Sequence, residues 1–286
     1  MRDLFSYSDE PVIRQDPADN RAVKVKEIMC KTALSRSRLP GLDYALNPYE
    51  GCEHGCVYCY APYVLRVVPS EGGKWVNAKV NLPSLLSREL RGKKGVVGIG
   101  TVTDPYQPME STMSLTRKCL VELLRSNMQV SILTKSDLVL RDVPLLTGLS
   151  KVEVGITVTT QDDSLAAKFE PLASPPSRRL RALAEMSAKG IETYALVGPM
   201  IPLATDSGLD RLVSEIAETG ARRIMVDRLR LRPGMLDKMH RLSIFRDDEL
   251  RGEFDAKVLS ASYFESVELR IRELTKDAGL AFESAF

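Results

Sequence analysis

Three cysteines stand within eight positions of one another in NPYEGCEHGCVYCYAP, residues 47–62 of a chain with five cysteines in all. Cys52, Cys56 and Cys59 read C-x3-C-x2-C, framed by glycines and by Tyr49, Tyr58 and Tyr60. Thiolates are soft ligands, and close spacing on a flexible loop lets several of them reach one inorganic centre. Two such centres suit this loop. Zinc takes four nitrogen or sulfur ligands in a closed tetrahedron, with His54 as the fourth. His54 lies between the first two cysteines, however, where closure around one ion is tight. An iron–sulfur cluster draws thiolates from short-spaced loops. Three protein ligands would leave one iron of a 4Fe-4S cluster open to a ligand that is not protein. Three inert buried thiols are the remaining reading, and chance rarely crowds them so.

Composition narrows the setting. The chain has 286 residues, 44% of them hydrophobic, which is ordinary for a globular protein and ample for a large core. A single α/β barrel reaches this length. The longest stretch without a charge, Thr193–Thr205, is thirteen residues, short of the roughly 20 that a membrane helix needs. The opening MRDLFSYSDEPVIRQD carries charges on both sides of its apolar residues and does not read as a signal peptide. Five cysteines, three of them crowded, are not a secreted disulfide framework, so a reducing cytoplasm is expected.

The net charge is only +2, but it is uneven. Residues 21–40 hold six Lys or Arg against one acid, and residues 222–241 hold seven against two. Both stretches suit a nucleic-acid backbone, or else simply solvate a surface. The tail from Arg246 to Phe286 is acidic, with ten acids against six bases.

The elements that must position the cysteines follow from periodicity. Strand patterns rich in Val, Ile and Leu recur at 44–49, 96–103, 129–135, 151–160, 192–201 and 222–229, as expected of strands buried on both faces. Helical spacing appears at 115–127, 139–149, 177–190 and 208–220, with Asp137, Ser177 and Ser207 as expected N-caps. Leu250, Phe254, Val258, Tyr263, Val267, Ile271 and Leu274 give the tail a helical period too. Strand–helix alternation through six units predicts a parallel α/β sheet. A dinucleotide-binding sheet would carry G-x-G-x-x-G after its first strand. The nearest match, Gly98 to Thr103, lacks the third glycine and lies inside the second strand. A partial (β/α)6 TIM-like barrel with a C-terminal helical extension is therefore predicted: residues 1–30 as an extension, 31–240 as barrel, 241–286 as helices packed on it.

In barrels the working residues follow the C-terminal ends of the strands, and the cysteine loop follows strand one. Thr103 and Asp104 follow strand two, as a ligand pair or as an Asx turn before Pro105. Lys135 ends strand three, where a buried ammonium is costly without a partner. Thr157 ends strand four with a hydroxyl. Met200 ends strand five, just past Gly198. Tyr58 offers an apolar ring to a planar ligand or to the core. His54 is expected to support the loop and His240 to lie at the surface.

C-x3-C-x2-C with an aromatic residue before the last cysteine resembles the radical S-adenosylmethionine (SAM) enzymes. NPYEGCEHGCVYCYA with TDPYQPME downstream resembles their spore photoproduct lyase-related branch, often labelled DNA repair photolyase-like, over about Lys31 to Pro233. The resemblance implies a 4Fe-4S cluster on Cys52, Cys56 and Cys59, with SAM's amino and carboxylate groups on the open iron. One electron from a ferredoxin- or flavodoxin-type donor would cleave SAM to methionine and a 5′-deoxyadenosyl radical. It places Thr103 and Asp104 by SAM's amino group, Lys135 by its carboxylate, Thr157 by the ribose, and Met200 with Tyr58 by adenine. Tyr58 and Tyr60 match the tyrosine pair proposed to relay hydrogen in the lyase. Thr101 stands where lyases carry their hydrogen-donating cysteine, and an O–H is a much poorer hydrogen-atom donor. The resemblance therefore implies the cofactor chemistry without thymine-dimer repair. A nucleic-acid base is the expected substrate; a peptide or small molecule is the alternative, and a zinc-bound, non-enzymatic binding module is the reading outside enzymes.

Overall fold

The computed structural model describes residues 12–15, 22–68 and 72–285. Its strands, in chain order, are β1 (Val12–Gln15), β2 (Ala22–Ile28), β3 (Ser35–Arg36), β4 (Tyr44–Leu46), β5 (Tyr49–Gly51) and β6 (Trp75–Lys79). They continue with β7 (Val96–Ile99), β8 (Gln129–Thr134), β9 (Val152–Thr157), β10 (Glu192–Met200), β11 (Arg223–Arg228) and β12 (Ala281–Ser284). The large sheet has the order β12-β11-β10-β9-β8-β7-β4-β3 and is not closed on itself. Six of its strands, β4 and β7 to β11, run parallel in chain order. These are the six strands read from the sequence, and the partial barrel stands.

Helices Leu82–Glu89, Leu115–Leu123, Pro176–Ala188 and Leu209–Glu218 connect the strands. They bury their apolar faces in one core with strand residues such as Ile132, Val154 and Ala195. Leu212, Val213 and Ile216 show the spacing that does this, returning to the sheet side every three or four residues.

Several local expectations are corrected. The predicted strand 44–49 splits at Asn47-Pro48 into β4 and β5, which belong to different sheets. Proline's missing N–H and fixed φ interrupt the ladder there. Residues 139–149 are not one helix but a 3-10 turn, Asp137–Asp142, followed by Val143–Leu146, because Pro144 suits only a first helical turn. The caps shift as well. Ser136, not Asp137, accepts from Leu138 N; Pro175, not Ser177, precedes the helix at 176; Gly208, not Ser207, precedes the helix at 209.

The tail forms the expected helices, Asp248–Val258 and Ala261–Asp277, but then adds β12 in parallel to β11. Its end thus belongs to the sheet itself. Ala22–Ile28, within the expected N-terminal extension, is a strand of a second sheet, β1-β2-β6-β5. That sheet has its own small core of Val23, Tyr49, Val76, Ala78, Met109 and Leu115. The rest of residues 1–21 lies outside the described residues. Among the described residues no helix is long and apolar enough to cross a membrane.

Candidate active site

The cysteine loop leaves β5 through Gly51, whose φ is 79°. A Cβ there would lie 2.4 Å from the Trp75 carbonyl oxygen, so glycine alone lets the loop cross β6 this closely. Cys52, Cys56 and Cys59 then line one solvent-connected cavity walled by Pro62, Leu65 and Trp75. Beyond the loop, Phe169 O accepts from Val57 N at 2.9 Å and His54 O from Leu172 N at 3.2 Å. Lys238 from the C-terminal side gives a long bond, 3.4 Å, to Cys56 O.

Burial pushes the Cys52 thiol well up, and the Asp104 carboxylate and the other two cysteines add to it. Cys56 is pushed up to about 12, chiefly by burial, against the pull of Lys135. The Cys52 and Cys56 thiolates are therefore disfavoured here until a cationic centre neutralises them, which the core of an iron–sulfur cluster would do. Among the described residues no three His, Cys, Asp or Glu side chains converge as ligands of a single ion. His54, the proposed zinc ligand, is buried with Nδ1 3.4 Å from Asp104 Oδ2. The donor set fits a cluster better than zinc.

The downstream stretch TDPYQPME clamps this loop. Thr103 Oγ1 donates to Gly51 O at 2.5 Å, Gln107 Oε1 accepts from Glu53 N at 2.9 Å, and Glu53 accepts from Met109 N. Asp104 is saturated from within: Oδ1 accepts from Tyr106 N and Thr134 Oγ1, at 2.9 and 2.6 Å, and Oδ2 from Lys135 N at 2.8 Å. Burial works to raise its pKa, but His54 and these donors outweigh it and hold the carboxyl well below the usual range. Glu110 accepts from Tyr49 OH at 2.5 Å and from Arg141 at 2.6 Å. One stretch thus ties β5, β8 and the cysteine loop together.

The sign of the Asp104 shift sets a pH test. A carboxyl with a lowered folded pKa stabilises the fold above its unfolded value, and that contribution is lost as pH falls through the folded one. Asp104→Asn should lower the unfolding midpoint near neutral pH, and the gap from the parent should narrow steadily below about pH 4. A gap constant from pH 7 to 3 in urea titrations would refute the assignment.

Of the remaining expected residues, Lys135 and Tyr58 are brought together, the ammonium 5.7 Å from the ring centroid. Burial lowers the Lys135 pKa, but the Cys56 thiol, Glu170 and Asp104 together raise it above its usual value. Thr157 lies opposite Leu196 of β10, and its carbonyl accepts from Arg179 at 3.1 Å. Met200 is fully buried at the end of β10, without a polar link to the cysteines among the described residues. Tyr60 is half exposed and donates to Thr101 O at 2.6 Å, while Thr101 Oγ1 accepts from Asn47 at 2.9 Å. His240 is partly exposed, 2.7 Å from Asp255.

Sequence reading missed Glu170 and Arg179. Both are about 1% exposed, and they form an ion pair at 2.5 Å. Glu170 also accepts from Tyr58 OH and from Thr159 at 3.3 Å, so it fixes the tyrosine beside Cys59. A signal existed. Arg179 sits with Ala182, Leu183 and Met186 on the buried face of its helix, an arginine inside an apolar stripe.

An open, parallel α/β partial barrel with three thiols on the loop after its first strand defines a thiolate-centred barrel protein. The family model described as the Radical SAM superfamily matches residues 46–227, and the chain belongs to that superfamily and is an enzyme. The superfamily implies a 4Fe-4S cluster and SAM as cofactors. A protein of Methanocaldococcus jannaschii is 35% identical over 184 residues, covering 64% of this chain and 70% of that one. A Mycobacterium tuberculosis protein is 34% identical over 222 residues, 72% of this chain and 65% of that one; both relatives are described as uncharacterised. Spore photoproduct lyase complexed with dinucleoside spore photoproduct shares the fold, with a TM-score of 0.71 over 92% of this chain and 82% of that one, at 14% identity. Streptococcus suis SuiB bound to the precursor peptide SuiA reaches 0.57 over 84% of this chain and 48% of that one, at 16% identity.

Proposed function

We propose that Cys52, Cys56 and Cys59 hold the 4Fe-4S cluster, that Lys135 binds the SAM carboxylate, and that the enzyme acts on nucleic acid. Bound there, the cluster and SAM would supply a 5′-deoxyadenosyl radical. The protein's own part is to bind, orient and exclude water. Lys135 carries the argument. Its ammonium sits beside the cysteine loop with no carboxylate in ion-pair range among the described residues, a free cation where an anionic ligand group is needed. The Thr157 hydroxyl is likewise without a hydrogen-bond partner among the described residues and is left for the ribose. Met200 would offer an apolar wall to adenine, and Tyr58 its ring face. Asp104 and Thr103, engaged with the loop, would act by positioning it. Tyr60, exposed and beside Thr101, is the tyrosine that faces a substrate.

Lys135→Met should weaken SAM binding at least tenfold, the loss expected of a charge-assisted contact, while the iron content stays unchanged. Equilibrium dialysis with labelled SAM measures this. Unaltered affinity would remove Lys135 from the site.

The nucleic-acid reading draws on the dinucleoside carried by the structurally similar lyase, and the peptide alternative on the peptide carried by SuiB. Charge favours the first. Salt-dependent binding of DNA or RNA decides between them. The reductant would be a ferredoxin- or flavodoxin-type protein, and the compartment a reducing cytoplasm.

A further inference from the structure

Three of the seven cations in the basic stretch 222–241 are paired with carboxylates within the protein. Arg223 pairs with Glu153 and Glu283, Arg222 with Glu192, and Arg230 with Asp227 at 2.6 Å. Of the two arginines ahead of Pro233, only Arg232 keeps its charge unpaired among the described residues. The other basic stretch behaves differently.

Arg36 and Lys93, 57 residues apart in sequence, meet on the edge of the large sheet, and Lys31, Arg38, Arg91 and Lys94 lie on the same two chain segments. Two constructions hold them there. The Glu89 carboxylate accepts from Ala33 N at 2.9 Å and from Leu34 N at 3.0 Å, clamping one segment to the other. The Tyr44 ring has the Arg36 guanidinium 4.9 Å and the Lys93 ammonium 5.2 Å from its centroid. Among the described residues none of the six cations makes an ion pair. The two nearby carboxylates are occupied: Glu89 by those backbone donors, and Asp43 by Val96 N at 2.8 Å.

Six cations on these segments stand against the two carboxylates Glu89 and Asp43, an excess of like charge that repels at surface distances. The arrangement is relieved by a polyanion whose own counterions it releases. Guanidinium forks suit phosphate oxygens. Arg36 stands opposite Tyr44, the first residue of β4, whereas the cysteine loop departs beyond Leu46 at the other end. The surface is therefore set apart from the chemistry along the strand direction.

We propose that residues 31–38 and 88–94 form an anchoring surface for the phosphate backbone of a nucleic-acid substrate. The proposal rests on the nucleic-acid reading above and locates where that substrate is held.

The test compares the parent, the variant Arg36→Gln/Arg38→Gln/Lys93→Gln/Lys94→Gln, and a charge-matched control. The control, Arg181→Gln/Arg211→Gln/Arg270→Gln/Arg272→Gln, removes exposed helix arginines that are already ion-paired. A labelled DNA duplex, a single-stranded RNA and phosphatidylserine vesicles are the probes, with thermal unfolding as the check on folding. The edge variant should bind the DNA or the RNA at least about tenfold more weakly at low salt, with the salt slope flattened by roughly 0.9 for each lost duplex contact. The control should stay near the parent, and SAM cleavage without substrate should be unchanged in all three. Which nucleic acid loses more names the source of the phosphate. If the edge variant binds like the parent while Arg232→Gln loses affinity, the anchoring surface is refuted and the nucleic-acid reading stands. If the parent binds neither nucleic acid, both fall. Vesicle binding lost by the edge variant, without nucleic-acid binding by the parent, assigns the surface to a membrane and overturns the proposal.

Discussion

Replacing Cys56 by alanine should remove the brown iron–sulfur absorbance and abolish reductive cleavage of SAM. Cys56 is the most enclosed of the three, buried between Lys135 and the loop at Phe169 and Glu170. Its ordinary pKa is raised to about 12, so the free thiol stays protonated in the apoprotein. Cluster binding at Cys56 would have to displace its proton, and alanine offers no ligand in the thiolate's place. Alanine leaves the fold intact, because the loop is held by backbone bonds and by Gln107 and Thr103 rather than by the thiol. Anaerobic reconstitution followed by iron and sulfide analysis measures the loss. A full complement of iron and sulfide in the variant defeats the ligand assignment. A colourless protein holding one zinc per chain in the parent defeats the cluster itself.

Arg179→Met destabilises the fold by roughly 3–5 kcal/mol, the usual result of removing one partner from a buried ion pair. The arginine also donates to the carbonyls of Ser174 and Thr157, at 2.5 and 3.1 Å, so three acceptors lose a donor at once. Glu170 would be left with Tyr58, Thr159 and the more distant Lys135. Its pKa, now held low by Arg179 and Lys135 against burial, should rise, and the variant should recover part of its relative stability in acid as the carboxyl protonates. The companion variant Glu170→Leu/Arg179→Met, with both charges gone, should lose much less than the single change. Urea unfolding of parent, single and double variants gives the comparison. A single variant within about 1 kcal/mol of the parent would show that the pair carries no stability.

Near-continuous Val, Ile and Leu runs made all six parallel strands legible from sequence, because a strand buried on both faces writes its position in consecutive residues. The cysteine spacing was legible for a similar reason, since three ligands on one loop are a local property. Lys135 stood out because an ammonium at a buried strand end needs an anion. Short-range signals failed where neighbours compete. Ser136 rather than Asp137 capped its turn, and Asn47-Pro48 divided one apparent strand between two sheets.

The C-terminal strand β12 was hidden because Ala281–Ser284 is a short, half-exposed edge, and only its parallel pairing with β11 makes it a strand. The role of TDPYQPME was hidden as well. An aspartate before proline reads as a cofactor ligand or as a turn former until the chain shows that Asp104 meets its donors inside the protein and that Gln107 binds the cysteine loop. The sequence by itself determined the class of barrel and the three thiols, both of which depend on residues close together in the chain. Only the tertiary structure decided that Glu170 pairs with Arg179 beneath Tyr58, that Arg230 is neutralised by Asp227, and that Arg36 and Lys93 share one aromatic ring without a counter-charge. The physical reason is that a charge's role depends on what stands within a few ångströms of it, and residues distant in the chain supply most of those neighbours.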